Sequence, residues 1–137
     1  MNRAGIREIK DKICALCSQE AAINAAYVFG SQAKGSTGPE SDLDVAFLLN
    51  EGLESDFSLL PFMANLERAY GYRVDVVILN HAGEMLKYEV RRSGRLIFER
   101  DSVKRKKFEI SGRKRYEDFL HLHRRYAGAV LYGEERG

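Results

Sequence analysis

Gly30 and Ser31, followed after ten residues by Asp42 and Asp44, are the residue types and spacing from which this chain could build chemistry. The stretch GSQAKGSTGPESDLDVAFLL runs from the end of one apolar segment, AAYVFG, into the start of another, VAFLL. Gly30 has no side chain and tolerates unusual backbone angles, so a phosphate can come close to the chain there. Ser31 can offer its backbone N–H and its hydroxyl to phosphate oxygens, helped by a helix dipole if a helix starts nearby. Side chains two apart on a strand share a face, so Asp42 and Asp44 aim together. Mg²⁺ prefers hard carboxylate oxygens, water and substrate phosphates. A pair of such ions stabilises both the attacking and the leaving oxygen of an in-line displacement. The pattern therefore suits an enzyme that holds a nucleoside triphosphate and two metal ions.

A third carboxylate is expected, and RVDVVILN supplies Asp75 between Val74 and Val76. An aspartate within an apolar strand is costly to bury unless it is paired or metal-bound. If that strand lies beside the strand of Asp44, three carboxylates converge. A plain glycine turn with aspartates capping a strand uses the same residue types. The placement between two apolar segments and the later Asp75 favour the metal reading.

The wording GSxAKG…SDLDVAFLL resembles the nucleotidyltransferase superfamily with a DNA polymerase β-like core, and within it the minimal nucleotidyltransferases. The usual context of those proteins is the antitoxin of a bacterial HEPN/MNT toxin–antitoxin pair. The likeness spans residues 24–99, strongest over 30–49 and weaker over 73–80. It implies an α/β (α+β) fold, a mixed sheet of about four strands with flanking helices. It implies ATP as substrate and two Mg²⁺ ions as cofactors. It makes Asp42, Asp44 and Asp75 both metal ligands and catalytic residues, with Gly30 and Ser31 on the triphosphate. Lys34 stands where the family often has arginine, keeping a cation near the phosphates without the bidentate fork. The implied activity is transfer of AMP to a tyrosine of the partner HEPN ribonuclease, which silences it. An antitoxin that only blocks its partner sterically, or a transferase acting on a small hydroxyl compound such as an aminoglycoside, are the alternatives.

The elements that must position these residues follow from periodicity and punctuation. A chain of 137 residues, 45% of them hydrophobic, is one domain by size. No run reaches the roughly 18 apolar residues of a membrane span, and the charged start MNRAGIREIKDKI does not read as a signal peptide. A cytoplasmic location is expected, and the two cysteines agree with it. The formal charge of +2 does not describe a strongly basic nucleic-acid binder. The small size argues against a polymerase or a tRNA-end-adding enzyme.

Helices are expected over 4–20, 56–70 and 81–93, the second with Pro61 in its first turn and the third capped by Asn80. Strands are expected over 24–29, 44–49, 73–79 and 95–99. Residues 102–132 read as one helix or two, with a weak point at Ser111–Gly112. The division is a nucleotidyltransferase core over 1–100 and a helical extension of the same domain over 101–137. From Asp101 to Ala127 the extension holds nine Lys or Arg against four Asp or Glu. It reads either as a docking arm for the partner protein, or a surface for RNA or for the ATP phosphates, or as a solvated helix face. Cys14 and Cys17 form a CxxC inside a helix, which suits packing better than zinc or redox chemistry. His121 and His123 fall on different helix faces, and His81 lies near the Asp75 strand. The seven tyrosines suit core or interface packing for the most part, and leave room for self-modification in the C-terminal segment.

Overall fold

LDVAFLL is apolar at nearly every position, and such a strand is stable only when both of its faces are covered. It forms β2 (Leu43–Leu49), and the equally apolar INAAYVF forms β1 (Ile23–Phe29), buried along its whole length. The computed structural model describes residues 6–30 and 42–136, with side chains for 7–30 and 42–127. Two shorter strands complete the sheet, β3 (Val74–Ile78) and β4 (Arg95–Glu99), in the order β3-β2-β1-β4. β1 is antiparallel to both of its neighbours, while β3 runs parallel to β2. A parallel neighbour needs a crossover, and α2 (Leu59–Tyr70) provides it. The sheet is therefore mixed, with helices on both faces.

The alternation of β2 divides the core. Leu43, Val45, Phe47 and Leu49 point toward α1 (Ile6–Ser18) and α2, meeting Ile9, Ile13, Phe62 and Leu66. Phe47 and Phe62 meet edge to face at 5.3 Å, a favourable geometry for aromatic pairs. Ala46 and Leu48 point the other way, toward α3 (Glu84–Ser93) and α4 (Ser102–Arg136), where Val90 and Phe108 pack. Asp44 shares this second face by the same alternation.

A bulge in β1 falls at Asn24. This buried amide donates to the Asp101 carbonyl at 3.2 Å and accepts from the Asp101 N–H at 2.9 Å. Asp101 in turn accepts from the N–H groups of Val103 and Lys104, capping α4. Arg100 donates to the carbonyls of Cys17, Ser18 and Glu20, satisfying the end of α1.

The structure moves several expected boundaries. The 56–70 helix splits into a 3₁₀ turn at Glu54–Asp56 and α2, with Pro61 in the first turn as expected. Asn80 does not cap α3. Its amide binds both backbone groups of Leu49, at 2.8 and 3.0 Å, and the chain makes a 3₁₀ turn over Leu79–His81 before α3 begins. Ser111–Gly112 is no break: α4 runs through it, because Gly112 is where Arg91 of α3 packs closely. A Cβ there would stand 2.6 Å from Arg91 Nη1. The Tyr88 and Tyr116 rings stack at 4.2 Å and carry the same helix contact onward. Among the described residues no helix is long and apolar enough to cross a membrane.

Candidate active site

Phe29 faces Asp44 across β1 and β2, and Asp44 faces Asp75 across β2 and β3. Opposed residues in adjacent strands project to the same side of the sheet, so both carboxylates lie on the α3/α4 face. Asp42 sits two positions before Asp44, immediately ahead of β2. β3 does lie beside β2, as expected, and its register sets Asp75 opposite Asp44. Asp75 is exposed, whereas Asp42 and Asp44 are half-buried.

Burial raises the Asp44 carboxyl above its ordinary range, and the neighbouring charges of Asp75 and Asp42 add to the effect. At Asp44 this setting disfavours the charged form unless a cation joins it. No group of three or more His, Cys, Asp or Glu among the described residues forms a cage able to hold a metal alone. That is compatible with Mg²⁺, which binds through one or two carboxylates plus water and substrate phosphates. The residues therefore fit a magnesium site completed by a nucleotide.

Gly30 ends β1 with φ of +71°, in the left-handed region that favours glycine. A Cβ at this position would meet Asp44 Oδ2 at 2.4 Å. Glycine here both turns the chain and leaves room for the carboxylate. Ser31 and Lys34, expected on the phosphates, lie outside the described residues.

Arg73 is a neighbour that spacing alone did not single out. Its Nε lies 4.0 Å from Asp42 Oδ1, and its Nη2 donates to the Tyr72 hydroxyl at 3.1 Å. The available signal was its place two residues before Asp75, at the same strand mouth. A surface hollow of about 560 Å³, lined by Tyr72, Arg73 and the end of α2, flanks the aspartates rather than enclosing them.

Other candidates fall away from this site. His81 lies beyond the opposite end of β3, paired with Glu54 at 3.0 Å. His123 stacks on Phe119 on α4. Cys14 donates to the Ile97 carbonyl, and burial pushes the Cys17 thiol up to about 12, so neither is poised as a thiolate. Tyr27 is buried and donates to Glu109 at 2.7 Å.

Residues 11–103 match the family described as polymerase beta, nucleotidyltransferase. Among solved structures, a toxin–antitoxin with AMP-PNP superposes with a TM-score of 0.75 at 22% identity, over 89% of this chain and 98% of that one. A second, from Shewanella oneidensis, is a tri-AMPylated HEPN toxin in complex with its MNT antitoxin. It gives a TM-score of 0.72 at 20% identity, over 92% of this chain and 98% of that one. At these identities the likeness establishes the shared fold. No curated protein matches the sequence.

Proposed function

Because this chain belongs to the polymerase beta nucleotidyltransferase family, we propose that it transfers AMP from ATP to a tyrosine hydroxyl of a HEPN toxin and so acts as that toxin's antitoxin. The observation that carries this reading is the register that gathers Asp44 and Asp75 beside Asp42, with Gly30 yielding its side-chain space to Asp44. The likeness to a toxin–antitoxin with AMP-PNP, and to the antitoxin bound to a tri-AMPylated toxin, supports the choice of nucleotide and acceptor.

In this reading Asp42, Asp44 and Asp75 are the carboxylates that would hold the two Mg²⁺ ions. Magnesium, when bound, neutralises phosphate charge and orients the α-phosphate for in-line attack. Gly30 and Ser31 take the β- and γ-phosphates, and Lys34 adds positive charge beside them. The acceptor hydroxyl has a free pKa of about 10, so it must lose its proton as it attacks. Its oxygen forms a bond to the α-phosphorus while the bond from that phosphorus to the bridging oxygen breaks. Asp75 accepts the proton, and pyrophosphate departs. Because Asp75 is exposed, a side chain of another protein can reach it.

The test is intact-mass spectrometry of a co-expressed HEPN partner after incubation with this protein, ATP and Mg²⁺, with the Asp42→Ala/Asp44→Ala variant as control. AMP-sized increments on the partner, absent with the variant, are expected. No increment, with a stable complex formed by both proteins, would replace transfer by steric antitoxin action.

A further inference from the structure

At the other end of β2 a cleft of about 540 Å³ opens between the sheet and α4. One helical face supplies Lys104, Lys107, Ser111 and Arg115, with Phe108 as the apolar floor and Asn50 opposite. Three cations stand here against one acid, Glu51. Among the described residues, none of the three cations has an ion-pair or hydrogen-bond partner, whereas Arg105 on the adjoining face is paired with both Glu99 and Glu109. Like charges three residues apart weaken a helix, and Glu51 is the one acid in the cleft's lining to set against Lys104, Lys107 and Arg115. The walls are fixed: Asn80 ties down Leu49, and Asn24 ties down Asp101 at the start of α4.

A cleft of this volume is of small-molecule size. Its fixed walls, cationic side and hydroxyl suit phosphate oxygens, which favour charge-assisted contacts. Leu49 lies five residue steps beyond Asp44 along β2, about 16 Å at the ordinary strand rise. A ligand here therefore does not compete for the aspartates. We propose that this cleft is a second site, binding a small polyphosphorylated anion independently of the nucleotide used in transfer.

Amide-resolved NMR of the full chain, titrated with tripolyphosphate in EDTA, tests it. Saturable shifts are expected at Lys104, Lys107, Ser111, Arg115 and Asn50. Lys107→Gln/Arg115→Gln is expected to weaken binding about tenfold, leaving nucleotidyl transfer unchanged. Shifts that never saturate and spread equally to Lys106, Arg113 and Lys114 would reduce the cleft to nonspecific charge and overturn the proposal. Shifts confined to Gly30 and the aspartates would overturn it too. Tighter binding of a single-stranded RNA oligonucleotide, with shifts running beyond the cleft along α4, would replace the small ligand by RNA.

Discussion

The two ends of β2 carry opposite charge and obtain it in different ways. At the N-terminal end Asp42, Asp44 and Asp75 belong to the strands themselves or their approaches, so hydrogen-bonded register sets where they stand. At the C-terminal end Lys104, Lys107 and Arg115 belong to a helix laid across the sheet, so their position depends on how that helix docks. Strand register moves only in whole-residue steps that flip side chains to the other face. A docked helix can shift by smaller amounts. The aspartate end is thus set by register, and the cationic end by the ties that dock α4, among them the latch of Asn24 with Asp101 and the bond of Tyr27 with Glu109.

The largest effect should come from Asp44→Asn, which removes charge but little volume. Transfer is expected to fall by about 10³-fold or more, read as pyrophosphate release. The melting temperature should hold or rise at neutral pH, since Asp44 is squeezed by burial and by Asp75 and Asp42. The sign follows from linkage. The folded pKa lies above the unfolded one, so the folded state binds the extra proton between them. This group therefore adds stability as pH falls through its folded pKa and withdraws it as pH rises. Without metal, urea midpoints followed across that acid window should show the contribution in the wild type and lose it in Asp44→Asn. An unchanged pH profile would remove the electrostatic account of this end.

Gly30→Ala comes next. It strains a left-handed position and forces Asp44 aside, at a cost of about 1–3 kcal/mol, with transfer reduced as well. Full activity and stability would mean that the turn relaxes freely. Asn24→Ala should cost about 1–3 kcal/mol in urea unfolding, because it leaves the half-buried backbone groups of Asp101 unmatched. It also sharpens the contrast between the ends: tripolyphosphate binding should weaken more than transfer. Equal losses at both ends would show that the latch serves the whole sheet. Gly112→Ala should be smallest, within about 1 kcal/mol, because gained helix propensity offsets displacement of a flexible arginine tip. A larger loss in thermal unfolding would mean that Arg91 cannot move.

The same contrast explains what the sequence disclosed. The aspartates were legible because an i, i+2 spacing is local, and one further assumption, that the third strand lies beside the second, brings in Asp75. The strand and helix order was legible from apolar runs and their breaks. Asn80 was misread because its partner, Leu49, is distant in sequence, and a local capping rule cannot anticipate such a bond. Gly112 looked like a break because its reason to be small is Arg91, on another helix. The basic segment was visible as composition. Only the sheet order and the course of α4 separate the paired Arg105 from the unpaired Lys104, Lys107 and Arg115.

The contacts of Arg100 and Asp101 also bear on how the protein is made. Asn24 reaches Asp101 across 77 residues, and Cys17 reaches Arg100 across 83. On a ribosome, α1 and β1 emerge first; the end of α1 finds local backbone partners in Gln19 and Glu20, yet the bulge of β1 at Asn24 has none of its partners until residues 100 and 101 leave the exit tunnel. Contacts of such sequence separation form late. Synthesis is therefore expected to pass through a long interval in which the central strand is present but unlatched. The N-terminal half, released alone, should be protease-sensitive, and a chain extended through residue 101 and the first turns of α4 should resist cleavage.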